Sequence, residues 1–395
     1  FVPDAVIQGF RDYQDWRDLP SAAKSQDRRD RDGALGDDPG PERAIDACLA
    51  WLARAQDGSS TADGGVARHF SLIGGWSTSY PETTGYIIAT FLREAAVRDD
   101  PDLSLRAQKM LDWLVAIQLP DGGFQGGMIT EQPVLPVTFN TGQILLGLAA
   151  GTEALGYDRY RDAMNRAASW LVDTQDDDGC WRRHPTPFAE PGDKAYETHV
   201  AWGLFEAERV EPGRGYGEAG LKQVRWALTN QQQNGWFSRC CLDDPTQPLT
   251  HTLGYALRGI LEAYRLSEER ALLNAAMKTA EKLRDALRED GFLPGRFDRY
   301  WQAAVPWSCL TGSVQLALCW FQLFTLTGDP NYRKANSFVR RTIAIDGPPD
   351  QKGGVRGSYP ISGPYGRYQY LNWAAKFAID SFREEIRLAG QGMLN

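Results

Sequence analysis

Two of the four histidines in this 395-residue chain, His199 and His251, stand at the starts of strongly apolar helical stretches. Imidazole is the side chain whose ordinary pKa lies nearest neutrality, so these two are the first candidates for proton transfer, although a histidine at a helix start also serves as ordinary packing. Tyr255 follows His251 by four residues and so shares its helix face, where it could take part in chemistry or pack across the interior. Asn140, within Phe139-Asn140-Thr141-Gly142, can cap a helix or donate its amide to a bound carboxylate. Glu82 and Glu197 are acids at further helix starts; for Glu82 the plain interaction with the helix dipole is the better reading. The segment Arg296-Phe297-Asp298-Arg299-Tyr300-Trp301, running on to Trp307, concentrates cations and rings. Sugar faces stack on indoles and guanidinium pairs carboxylates bidentately, so this loop predicts a site for an anionic sugar. Two more aromatic loops hold Arg356, Tyr359, Tyr365, Arg367 and Tyr368, and Trp76, Tyr80 and Glu82. Tyr300 beside Arg299 is the expected base, since a neighbouring cation lowers a phenol from its ordinary pKa of about 10. His251 is its expected partner and Tyr255 the reserve, with His199 and Asn140 completing the set.

Composition removes several other chemistries. The net charge of −8, from 43 basic and 51 acidic residues, argues against a general nucleic-acid binder. No apolar run approaches the length of a membrane span. Six cysteines in a chain this long are not a disulfide framework, and Cys240 and Cys241 are adjacent. Neither His-x-x-x-His nor Cys-x-x-Cys spacing occurs, and there is no Gly-rich phosphate loop, so neither a metal nor a cofactor is expected. The chain opens at Phe1, which fits a trimmed signal peptide and a periplasmic or secreted protein, or otherwise a cytoplasmic one.

The candidates must be positioned by a repeat. Gln56, Gln118, Gln175 and Gln231 each follow a Trp-bearing helical stretch, at steps of 62, 57 and 56 residues. Gly-aromatic turns come next, as in Asp121-Gly122-Gly123-Phe124, Gly179-Cys180-Trp181, Gly235-Trp236 and Gly291-Phe292, with Gly353-Gly354 one repeat later. A second helical series begins at Thr84-Gly85, Thr141-Gly142, Thr198-His199, Thr252, Thr311-Gly312 and Tyr370-Leu371-Asn372. It is apolar on nearly every side, whereas the Gln-bearing series carries a one-sided stripe. Six buried helices alternating with six amphipathic ones predict an all-α fold, a closed (α/α)6 toroid. The expected division is an N-terminal arm and linker over 1–41, with Lys24 to Gly40 as loop, and a single toroid over 42–395. Inner-helix N-termini should ring one mouth and favour anions there. The Gln-Gly-aromatic turns are expected on the opposite face.

The Gln-Gly-Trp repeat resembles the QW repeats of terpene cyclases and the repeats of protein prenyltransferase β-subunits. The six-hairpin toroid is also similar to that of polysaccharide lyases, uronyl hydrolases and sugar epimerases. Asp176-Asp177-Asp178 and Asp178-Gly179-Cys180 only approximate the acidic cluster and zinc element of the first two families. The Tyr, His, Asn and Arg set resembles that of uronate lyases of the alginate or glucuronan type. That resemblance implies β-elimination on an anionic polysaccharide or oligosaccharide, with Arg296, Arg299, Trp301, Trp307, Trp76, Tyr80, Glu197, Arg356, Tyr365 and Arg367 as its binding residues. A glycoside hydrolase using two of Glu82, Glu197 and Asp298, or a uronyl C5-epimerase, is the alternative on the same toroid. A non-catalytic glycan-binding toroid or a terpene cyclase-like protein also stays open.

Overall fold

A computed structural model describes residues 13–14, 16–327 and 333–393. Its outer helices are α2 (Pro41–Asp57), α4 (Pro101–Ile117), α6 (Asp158–Thr174), α8 (Tyr216–Leu228), α10 (Arg270–Asp285) and α12 (Arg333–Arg340). The inner helices are α3 (Pro81–Arg98), α5 (Thr138–Leu155), α7 (Thr198–Val210), α9 (Thr250–Ser267), α11 (Leu310–Thr327) and α13 (Asn372–Gly390). Each inner helix packs on the next and α13 returns to α3, so the arrangement is an (α/α)6 toroid. Five short strands lie in its loops: β1 (His69–Ser71), β2 (Gly75–Trp76), β3 (Ser308–Cys309), β4 (Ser358–Tyr359) and β5 (Gln369–Leu371). The antiparallel pairing of β1 with β5, Phe70 opposite Tyr370, ties the first hairpin to the last.

The repeat glutamines join neighbouring hairpins. Gln118 Nε2 donates to Gly122 O of its own turn (2.9 Å) and to Ala163 O of the next outer helix (3.0 Å). Gln175 does the same to Gly179 O and Ala219 O, and Gln56 to Gly64 O and Arg106 O. The turn glycine lies flat on that next helix. A Cβ on Gly122 would stand 2.6 Å from Arg166 O, and one on Gly353 would stand 2.0 Å from Ala47 O, where the last turn meets the first outer helix. Both adopt positive φ, 102° and 81°, which favours glycine in any case.

These turns lie at the same mouth as the inner-helix starts, not opposite it. Each one connects an outer-helix end to an inner-helix beginning, so the chain has no length in which to cross the ring. The threonine signature makes the junction. Thr141 Oγ1 accepts from Phe124 N (3.0 Å) while donating to Val137 O, and Thr84 Oγ1 takes Val66 N in the same way.

The expected loop from Lys24 to Gly40 is in part helical, because α1 spans Ser21–Arg31. Its sequence hides this, since buried acids anchor it in place of an apolar stripe. Asp30 is ion-paired with Arg356 and accepts from Ile361 N at 3.0 Å, while Leu19 and Ala23 add small apolar contacts.

Replacing Gly353 by Ala should therefore cost at least about 2 kcal/mol, from left-handed backbone strain plus a clash with Ala47. Gly156, at φ 70° with open space where a Cβ would sit, should lose only about 1 kcal/mol on the same change. Equal losses in chemical denaturation would show that the turn-to-helix contact is not what closes the ring.

Candidate active site

Where the inner helices begin, a cavity of about 330 Å3 opens along the toroid axis. Tyr80, Phe139, Tyr196, Tyr365 and Trp373 give it aromatic walls, with Arg68, Glu82, Glu131, His251 and Tyr255 as its polar lining. Six helix N-termini point this way, so the mouth carries a positive potential from backbone alone.

Glu82 sits in the first turn of α3, directly after Pro81, which is suited to that position because its missing N–H would be unbonded there. Its carboxyl is buried, and desolvation pushes it up to about 7, against the opposing pull of a hydrogen bond from Tyr80 and the charge of Arg68. Tyr80 Oη donates to Glu82 Oε2 at 2.8 Å. Near neutral pH this acid is thus close to half protonated, the condition in which a carboxyl can give a proton as readily as take one. Glu197, just ahead of α7, is raised by burial to about 8, and its Oε2 has no hydrogen-bond partner among the described residues.

Tyr255 is held between two imidazoles, with ring centroids 4.4 Å from His199 and 4.3 Å from His251. His251 Nδ1 meets Gln315 Oε1 at 2.7 Å and His199 Nδ1 meets Gln143 Oε1 at 2.5 Å. An amide oxygen accepts, so each Nδ1 carries the proton and each Nε2 keeps a lone pair. Burial lowers His251 to about 4 and His199 well below its ordinary value, so both are neutral at pH 7. The Tyr255 hydroxyl moves the other way, well above 10, through burial and then the charge of Glu82.

The cavity thus gathers Glu82, His251, Tyr255, Tyr80 and Tyr365 from the residues singled out in the sequence. His199 and Asn140 are buried nearby without lining it, and Asn140 Nδ2 lacks a partner among the described residues. The 296–307 loop lies elsewhere, over the turn at Asn234. Asn234 Nδ2 donates to Arg299 O, and Trp301 Nε1 donates to Asn234 O. Tyr300 is 64% exposed with Arg299 against its ring, and Trp307 is buried in a small side cluster. Arg296 is occupied by Asp243 and Gln247 O, Arg356 by Asp30, and Arg367 donates to Ser362 O. Trp76 bonds Asp350 and packs on Trp51. None of these four arginines lines the cavity.

The cation that does line it is Arg68, which no motif in the sequence marked. Its guanidinium lies 4.9 Å over Trp373 and 5.8 Å over Tyr80, and Nη1 is 3.0 Å from His69 Nδ1. No carboxylate pairs with it among the described residues. Asp176 and Asp178, the acids of the terpene-like and zinc-like spellings, are taken up by Arg182. Among the described residues no three His, Cys, Asp or Glu side chains converge as metal ligands, and no helix is long and apolar enough to cross a membrane.

No protein-family model and no curated protein matches the sequence. Solved structures do match the fold. An unsaturated glucuronyl hydrolase specific for heparin superposes with a TM-score of 0.71 at 13% identity, over 90% of this chain and 99% of the other. Cellobiose 2-epimerase from Bacillus thermoamylovorans B4167 gives 0.67 at 10%, over 91% and 98%. A D-mannose isomerase gives 0.68 at 11%, over 88% and 97%. At these identities the likeness shows the (α/α)6 toroid and no more.

The expected uronate lyase is contradicted: these similar toroids are a hydrolase, an epimerase and an isomerase, and the expected base does not reach the cavity. Placement gives the physical reason that a tyrosine-driven β-elimination fails here. Tyr300 faces solvent away from the cavity, and the buried Tyr255 hydroxyl is held too high to ionise near neutrality.

Tyr300→Phe should accordingly leave turnover within about twofold of wild type, where loss of a proton-transfer group costs ~10²–10⁴-fold; a loss of that size would return the outer loop to the chemistry. Glu82 predicts a pH-dependent stability. Its folded pKa is raised from 4.5 to about 7, so the stability it contributes is present below 4.5 and lost as pH rises through 7. Denaturation at about pH 5 and about pH 8 should show Glu82→Gln gaining on wild type at the higher pH; a constant difference between them would mean an unshifted carboxyl.

Proposed function

We propose that this chain is a glycoside hydrolase of the (α/α)6 type that acts on a sugar carrying a carboxylate. The reading is carried by one observation, a buried acid raised to about 7 in the same aromatic cavity as a guanidinium without a carboxylate partner. Glu82 in its protonated form donates to the departing glycosidic oxygen, and the Tyr80 hydroxyl holds the carboxyl in place. Arg68 pairs the carboxylate of the sugar, aided by the helix N-termini, while Tyr365 and Trp373 supply faces for the ring. Glu131, on the rim, is the second carboxylate of the cavity and the group available to orient water. The toroidal likeness to a glucuronyl hydrolase supports an acid-sugar substrate.

A second reading has its own observation. His251 presents a neutral imidazole whose Nδ1 is anchored on Gln315, which leaves Nε2 as a base beside Tyr255. Proton abstraction from a sugar carbon would make the chain an epimerase or isomerase, the activities of two of the similar toroids.

Incubation with uronyl and neutral oligosaccharides separates the two. Hydrolysis yields new reducing ends from the uronyl substrates, and activity declines as pH rises above about 7, where Glu82 loses its proton. Glu82→Gln should reduce kcat by ~10²–10⁴-fold. Arg68→Ala should raise KM for a uronyl substrate by about tenfold or more and leave that for a neutral one unchanged. Deuterium entering a recovered sugar from solvent, with no new reducing ends, would replace hydrolysis by the histidine reading.

A further inference from the structure

The other end of the toroid has a larger cavity, of about 700 Å3, lined by five inner helices. Arg93, Arg258, Arg265, Lys376, Arg383 and Arg387 line it, against the carboxylates of Asp380 and Glu384. Cations at helix C-termini are expected from the dipole alone. All six are in ion pairs, for example Arg93 with Asp380, Arg383 with Glu94 and Arg258 with Glu262, and what they have left over differs. Arg258 differs from them. Its Nε donates to Glu262 Oε1 at 2.7 Å and its plane lies 4.1 Å over the Trp202 ring, which is itself fixed by a bond from Nε1 to Glu206. Both terminal amino groups of Arg258 are left without a bonded acceptor among the described residues, on a side chain only 16% exposed. The helix dipole accounts for a cation here but not for a rigidly held guanidinium with its fork unused.

An unused acceptor belongs to the same cavity. Gln322 Nε2 donates to the same Glu262 Oε1 at 3.3 Å, which turns Gln322 Oε1 away, buried and with no donor. Flipping the amide would not relieve it, because oxygen would then face the Glu262 carboxylate. A planar pair of donors for an oxyanion and an acceptor awaiting a hydroxyl thus lie against one carboxylate in one cavity.

We propose that this chamber is a second ligand site, for a small anion that also carries hydroxyl groups, a sugar carboxylate or a sugar phosphate. The anion takes both terminal amino groups of Arg258 and a hydroxyl donates to Gln322 Oε1. Leu261 and Leu318 give the ring an apolar wall. The site shares no lining residue with the Glu82 cavity and does not depend on the chemistry assigned there.

Calorimetric titration of the full chain with glucuronate, glucose 6-phosphate, glucose and inorganic phosphate tests this. Saturable binding is expected for at least one of the two anionic sugars, more tightly than for phosphate and without detectable binding of glucose. The tighter of the two identifies carboxylate or phosphate as the natural group. Measured in protein already carrying Arg68→Ala, so that the Glu82 cavity does not contribute, Arg258→Gln should weaken that binding about tenfold or more and Gln322→Leu about three- to tenfold. Should Arg258→Gln fail to fold, as judged by circular dichroism, Gln322→Leu decides alone. The proposal is overturned if neither anionic sugar binds, if glucose binds equally well, or if both chamber variants bind as their Arg68→Ala parent does. Binding lost in Arg68→Ala itself would assign the ligand to the Glu82 cavity and overturn it too.

Discussion

Everything at the mouth depends on how one hairpin is fixed to the next. The repeat glutamine accepts no freedom of register, since a single Nε2 reaches its own turn and the backbone of the following outer helix at once. The turn glycine then lies so close to that helix that no side chain fits between them. Around the ring these contacts fix each outer helix, and through the threonine junctions they fix the start of each inner helix. A closed ring cannot absorb a misplaced member, so an error in one turn would be carried to the cavity. Side chains on the first inner turns are thereby held on a rigid frame, as proton transfer over a fixed distance requires.

Closure also sets the electrostatics of the two ends. Helix N-termini converge on the smaller cavity and C-termini on the larger one, so backbone favours anions at the first and cations at the second. Glu82 is placed where the dipole should lower its pKa, yet desolvation wins and raises it to about 7. The same burial keeps His199 and His251 neutral and the Tyr255 hydroxyl protonated. Burial therefore sets the protonation state of these four groups on the axis. At the far end, the cations that line the C-terminal mouth all pair with carboxylates, but Arg258 does so through Nε alone and keeps both terminal amino groups without an acceptor among the described residues.

The architecture was legible because it is periodic. Gln56, Gln118, Gln175 and Gln231 mark outer-helix ends, and the threonine series marks inner-helix starts. Which face the turns occupy was misread, although hairpin connectivity alone forces turns and inner-helix starts to one end. Helix α1 left no periodic signal, because Asp30 anchors it through polar contacts with Arg356 and Ile361. At the site, inner-helix starts located His251, Tyr255 and Glu82, and the aromatic loops Tyr80 and Tyr365, whereas ranking loops by their arginines and tryptophans pointed away from it. Rings and cations on the 296–307 loop satisfy one another over the Asn234 turn, a pairing that local sequence cannot distinguish from a binding surface. Arg68 was invisible for the opposite reason. It stands in no cluster and acquires its aromatic partners from Tyr80, across its own loop, and from Trp373, near the other end of the chain.

The central claim is that the cavity holds Glu82 as a carboxyl poised near neutrality. It can be measured directly by carbon NMR of the side-chain carboxyls in protein labelled at glutamate, with Glu82→Gln used to assign the resonance. The signal missing from the variant should titrate in wild type at about 7. A midpoint near the ordinary glutamate value of about 4.3 would contradict it, and with it the assignment of Glu82 as the proton donor.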